Sequence, residues 1–125
     1  MNPRFYVCKH CGNVVEKISD SGVPVVCCGE EMKALVANTV DASKEKHVPV
    51  VTRLDECTLK VEVGSVPHPM LPEHHIVCIY LETAEGCQRI DLTDKPEALF
   101  CTCRTTPIAV YEYCNLHGLW KTVLE

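Results

Sequence analysis

Apolar and polar positions alternate in short runs along most of the chain, most clearly where Cys57, Leu59, Val61 and Val63 are set against Thr58, Lys60 and Glu62. A period of two puts each set on one face of an extended segment, so this stretch predicts a strand buried on one side. Further runs, at Val48 to Arg53, His75 to Glu82, Cys87 to Leu92, Ala98 to Arg104, Ile108 to Cys114 and Leu119 to Leu124, lie between turn signals and show no helical period. Roughly seven short strands at this spacing predict an antiparallel β-sandwich over residues 47–125.

The first part of the chain reads differently. A short strand at Phe5 to Val7 leads into a Cys-Lys-His-Cys turn ended by Gly12; a second strand, Asn13 to Lys17, is followed by a polar turn and the corner Cys27-Cys28-Gly29. Residues 1–37 hold too little apolar material for a core of their own, which predicts a small domain stapled by something other than hydrophobic burial. The polar segment 38–46 shows no strand pattern and reads as a linker.

Composition adds limits. The chain has 125 residues, 46% of them hydrophobic and 23% charged, which is ordinary for a folded protein and argues against disorder. Its net charge of -5 comes from the second part, since residues 1–46 are balanced. A nucleic acid or an anionic membrane is therefore a poor partner. Met1 to Tyr6 lacks the pattern of a secretion signal and no apolar run approaches ~20 residues, so the expected setting is cytoplasmic, with no membrane span.

The ten cysteines and six histidines are where the chemistry lies. In a reducing compartment, cysteines in such number point to metal ligation before disulfides. Cys8-x-x-Cys11 followed by Cys27-Cys28 supplies four thiolates able to close a tetrahedron around a thiophilic ion, zinc or iron by geometry alone. His10, inside the knuckle, reads as solvent-facing because four thiolates complete the shell. A second set is scattered: His47 before the first sandwich strand, His68, His74 and His75 in a proline-stiffened loop, and Cys114 and His117 around a turn ended by Gly118. Each histidine alone has a bland explanation, but all of them fall at strand termini, where the loops of a sandwich cluster.

These motifs, Glu45-Lys46-His47-Val48-Pro49, His68-Pro69-Met70 with a second histidine six positions after the first, and Glu112-Tyr113-Cys114-Asn115-Leu116-His117-Gly118 with Trp120-Lys121 beyond, resemble the centre of the desulfoferrodoxin family of two-iron superoxide reductases. The CxxC…CC set resembles that family's desulforedoxin domain, and the match runs in order from about Tyr6 to Lys121. The resemblance implies a mainly β protein: a small desulforedoxin- or rubredoxin-like metal-bound N-terminal domain followed by an immunoglobulin-like antiparallel β-sandwich. It implies two iron ions per chain, one on Cys8, Cys11, Cys27 and Cys28, where zinc is possible as purified. The other is catalytic, with His47, His68, His74 and His117 as equatorial ligands and Cys114 as the axial one; His75 is left out of the shell.

The same resemblance implies one-electron reduction of superoxide to hydrogen peroxide at a ferrous His4Cys centre. Lys46 would attract the anion and organise its protonation, and Glu45 would occupy the metal once product has left. An external donor such as rubredoxin and a homodimer are implied as partners. Cys57 and Cys78 read as small core residues, and Cys101 and Cys103, which share one strand face, more as core than as a redox pair or metal ligands; Cys87 carries no assigned role. The alternative is a non-enzymatic iron or zinc protein for electron transfer or metal binding.

Overall fold

The structure is a computed structural model that describes residues 4–124, and the chain divides into two compact units, Met1–Val36 and Ala37–Glu125. The first unit contains β1 (Phe5–Val7), β2 (Val14–Glu16), β3 (Val26–Cys27), β4 (Glu30–Glu31) and β5 (Lys33–Ala34). Strands β2, β1 and β5 form one small antiparallel sheet in that order, and β3 and β4 form a hairpin. The hairpin loop is Cys28-Gly29, with φ of 53° and 77°, the pair of left-handed residues that a tight hairpin turn requires. Among its described residues only Cys8 and Met32 are buried apolar side chains, so the hydrophobic core expected to be missing is missing.

The second unit opens with a single helical turn, α1 (Lys44–His47), too short to leave any periodicity in the sequence. Seven strands follow: β6 (Pro49–Asp55), β7 (Thr58–Val63), β8 (Ile76–Thr83), β9 (Gly86–Asp91), β10 (Glu97–Cys101), β11 (Pro107–Cys114) and β12 (Gly118–Val123). They form two antiparallel sheets, ordered β10-β7-β6 and β12-β11-β8-β9. Leu59, Val61 and Val63 of β7 point inward as their alternation predicts, and pack with Ile76, Ile79, Leu81, Phe100, Val110 and Cys114 between the sheets. Cys114 thus ends the core row of β11, where the interior gives way to loops.

Two local features depart from the sequence reading. Asn38 is fastened to β12, its amide N–H donating to the Leu119 carbonyl (3.0 Å) while its side-chain oxygen accepts from the Lys121 amide (2.8 Å). Cys57 does not join the core: it is disulfide-bonded to Cys103, 46 residues along the chain. The alternation puts Cys57 in phase with Leu59, but β7 begins only at Thr58, so Cys57 sits in the β6–β7 turn and faces the end of β10 instead.

Candidate metal centres

In the first unit, the Sγ atoms of Cys8, Cys11, Cys27 and Cys28 all lie within 4.8 Å of one another. The knuckle is shaped by the Gly12 amide donating to the Cys8 carbonyl (2.9 Å) and the Cys8 amide donating to the Asn13 carbonyl (2.9 Å). The amides of the knuckle, that of Cys11 foremost, bring the Cys8 thiol down to about 6, whereas its three sulfur neighbours push Cys28 up to about 12. Four thiolates cannot share this volume without a cation between them, which is the condition a thiophilic metal satisfies. His10 points away, its Nε2 2.7 Å from the Glu30 carboxylate beside Lys9.

In the second unit, one ring nitrogen each of His47, His68, His74 and His117 and the Sγ of Cys114 likewise lie within 4.8 Å of one another. Three segments deliver them. Helix α1 carries His47, the loop between β7 and β8 carries His68 and His74, and the β11–β12 turn carries Cys114 and His117. The first two segments are seated on each other without a gap: the Val66 amide donates to the Glu45 carbonyl (3.0 Å), and a Cβ on Gly64 would stand 2.5 Å from that same oxygen. Asn115 joins the other two, its side-chain oxygen accepting from the His75 amide (2.8 Å) and its amide group donating to the Glu73 carbonyl (3.0 Å).

Hydrogen bonds settle which nitrogens face inward. The Nδ1–H of His47 donates to the Ser43 carbonyl (2.7 Å) and that of His68 to the Pro69 carbonyl (2.7 Å). A carbonyl can only accept, so both protons are committed outward and both Nε2 atoms present lone pairs. Those lone pairs face each other at 3.2 Å, with His117 Nδ1 3.1 Å from His47 Nε2 and Cys114 Sγ 3.4 Å from His68 Nε2. Among the described residues the buried Nε2 of His74 has no hydrogen-bond partner. The facing acceptors of His47 and His68 are unfavourable in themselves and are resolved by a cation between them, so the residues fit a five-donor metal site.

Electrostatics agrees with ligation. Burial lowers His68 to about 4 and also lowers His47 and His74, so these imidazoles are neutral donors at neutral pH. Burial raises Cys114, with the amides of Leu116 and His117 working against it, so its thiolate needs a positive charge nearby. Lys46 is exposed and close enough for its charge to disfavour protonation of His47 and His74; Glu45 beside it is also exposed. His75 lies outside the cluster, with Nδ1 donating to the Leu71 carbonyl (2.8 Å).

Three contributors stand in the sequence only as members of the quoted motif, with no role attached to them there. Trp120, 1% exposed, stacks on His47 at 5.0 Å and donates from Nε1 to the His117 carbonyl (3.1 Å), backing two rings of the cluster at once. Asn115 is visible only as part of a motif. Glu112, on the same strand face as Cys114 and 1% exposed, has no partner among the described residues for either carboxylate oxygen, and burial raises it to about 9, so its carboxyl is neutral.

Comparison with known proteins agrees across the whole chain. The family model described as desulfoferrodoxin matches residues 39–123, and the one described as desulfoferrodoxin, N-terminal domain, matches residues 3–35. Desulfoferrodoxin of Syntrophotalea carbinolica is 48% identical over 119 residues, covering 94% of this chain and 93% of its own. Superoxide reductase of Pyrococcus horikoshii is 38% identical over 68% of this chain and 90% of its own. Among solved structures, the superoxide reductase from Treponema pallidum superimposes with a TM-score of 0.79 at 38% identity, over 98% of this chain and 99% of that one. With both family models matching in order over nearly its full length, the chain belongs to the desulfoferrodoxin family.

Proposed function

We propose that the chain is a superoxide reductase, which takes superoxide to hydrogen peroxide with one electron from an external, rubredoxin-like donor and two protons. The observation that carries the reading is the convergence of four imidazole nitrogens and one thiol sulfur at the end of the sandwich, with the Nδ1 protons of His47 and His68 tied away from the centre. It is supported by relatives and a full-length structural match that are themselves superoxide reductases.

In this proposal His47, His68, His74, His117 and Cys114 hold a catalytic iron, and Cys8, Cys11, Cys27 and Cys28 hold a second one, with zinc as an alternative occupant of the four-thiolate site. Iron held by these five donors would supply a one-electron reductant. The chain's own residues do the rest. Cys114 contributes the one sulfur among the donors, and Trp120 and Asn115 fix the rings so that the shell does not rearrange. Lys46 attracts the anionic substrate and helps organise the water that protonates the product, on the side where His47 and His74 feel its charge. Glu45, its neighbour, would bind the iron through its carboxylate once product has gone. Residues 1–37 form the thiolate domain, 38–46 the connection and 47–125 the catalytic sandwich, working as a cytoplasmic homodimer.

The test is stoichiometric. Iron-loaded protein given superoxide and an excess of artificial donor should consume one electron per superoxide and release no dioxygen. Dioxygen in equal amount to peroxide, with donor untouched, would identify a dismutase and sink the proposal.

A further inference from the structure

Cys57 and Cys103 lie at the end of sheet β10-β7-β6 remote from the histidine cluster. Strand β7 starts beside Cys57 and ends at Val63, near the cluster, so the two places are separated by roughly 17 Å of strand. Outside the two metal centres, Cys78, Cys87 and Cys101 remain unpaired, and the one bridge joins Cys57 to Cys103. Its surroundings differ from those of a buried cross-link. Cys103 is exposed and Cys57 half-buried, so an incoming thiolate has access to the Cys103 sulfur.

A positive charge stands between the two sulfur-bearing segments. Arg53 Nη1 donates to the carbonyls of Asp55 (3.1 Å) and Glu56 (3.3 Å), the two residues before Cys57, and lies 3.5 Å from the hydroxyl of Thr102, the residue before Cys103. A guanidinium held by these three oxygens adds positive charge near the bridge, which favours a departing thiolate, while the Asp55 carboxylate accepts from the Cys57 amide at 2.8 Å. The strands do not depend on the bridge for their register. The Thr102 amide donates to the Cys57 carbonyl (2.7 Å), and β7 and β10 are paired from Thr58 and Cys101 onward, so the sulfurs can separate without the sheet opening.

We propose that Cys57 and Cys103 form a reversible thiol–disulfide site that exchanges two electrons with low-molecular-weight thiols, independently of the metal centres and of the proposed activity. In the reducing direction a thiolate attacks the Cys103 sulfur, the protein S–S bond breaks and Cys57 leaves as a thiolate, which takes up a proton. A second thiolate then attacks the external sulfur of the mixed disulfide, releasing Cys103 and one molecule of the external disulfide. Oxidation is the reverse, with the external disulfide as oxidant and two external thiols as products.

The test uses metal-loaded full-length protein, without denaturant, incubated anaerobically with oxidised glutathione or with dithiothreitol, then alkylated and peptide-mapped. Cys57 and Cys103 should be protected together after glutathione disulfide and both labelled after dithiothreitol, with bound metal unchanged. Cys101→Ser should respond identically, and Cys57→Ser should leave a glutathione adduct on Cys103. Arg53→Gln should slow opening by dithiothreitol several-fold. Labelling of both cysteines in either buffer would show that no bridge forms, and protection that persists until the protein is denatured would show a fixed cross-link; either result overturns the proposal. An unchanged opening rate in Arg53→Gln would remove Arg53 from it.

Discussion

The two candidate metal centres are built on opposite principles. The four thiols of the first unit come from a knuckle and a hairpin turn within 21 consecutive positions, Cys8 to Cys28, and three of them are not buried. The five donors of the second come from three segments between His47 and His117, in a unit whose core of Leu59, Val61, Ile79, Phe100 and their neighbours takes only Cys114 from among them. A unit that buries only Cys8 and Met32 among its described apolar residues depends on its metal to be folded at all. A sandwich with its own core can hold donors facing one another in an unfavourable arrangement, because burial elsewhere offsets it. On the proposed function, the first centre serves structure before anything else, and the second is free to serve chemistry.

The largest expected break in this contrast comes from metal removal. Stripping the metal should unfold the first unit, since binding free energy on the order of 10 kcal/mol is also folding free energy in such domains. The second unit should keep its strand signals. Amide exchange resolved by residue would show this, and equal loss of protection in both units would contradict it.

Next in size is Gly64→Ala. A Cβ at this position meets the Glu45 carbonyl at 2.5 Å, so the loop bearing His68 must move off the helix bearing His47. A destabilisation of about 1–3 kcal/mol is expected from such overpacking, with weaker metal binding at the histidine cluster alone. Denaturant melts and metal titration of each site would detect it.

A pH change should separate the centres more gently. His68 is held at about 4 in the folded protein, below its ordinary 6.5, and burial moves His47 and His74 in the same direction. The depressed value means that protonation favours the unfolded chain, so the contribution is full above about 6.5 and is lost as the pH falls toward 4. Denaturant melts of the metal-free protein should show the stability of the second unit declining across that window. Smallest of all is Asn115→Ala, which removes the tie between the loop of His74 and the turn of Cys114. A loss of about 1 kcal/mol in stability and a modest loss of metal affinity are expected.

The same contrast explains what the sequence makes legible. Antiparallel strands with one wet face announce themselves by alternation, as in β7, and a CxxC knuckle with a nearby cysteine pair announces itself by spacing. The histidine cluster is legible only because ordered motifs point to it; no periodicity ties His47 to His117. The Cys57–Cys103 bridge leaves no trace in the pattern, because it depends on how the β6–β7 turn meets the end of β10. Helix α1, four residues long, is set by what it packs against and not by its own propensity. Trp120 and Gly64 look like ordinary core and turn residues until the rings and carbonyls beside them are placed.

The division of labour between the two centres is tested most directly by superoxide reduction in Cys114→Ser and Cys11→Ser, each loaded with iron and supplied with an artificial donor. Cys114→Ser should abolish the activity, and Cys11→Ser should leave it in place. If both variants lose activity alike, or both retain it, the assignment of chemistry to the histidine-cysteine cluster and of structure to the four thiols is wrong.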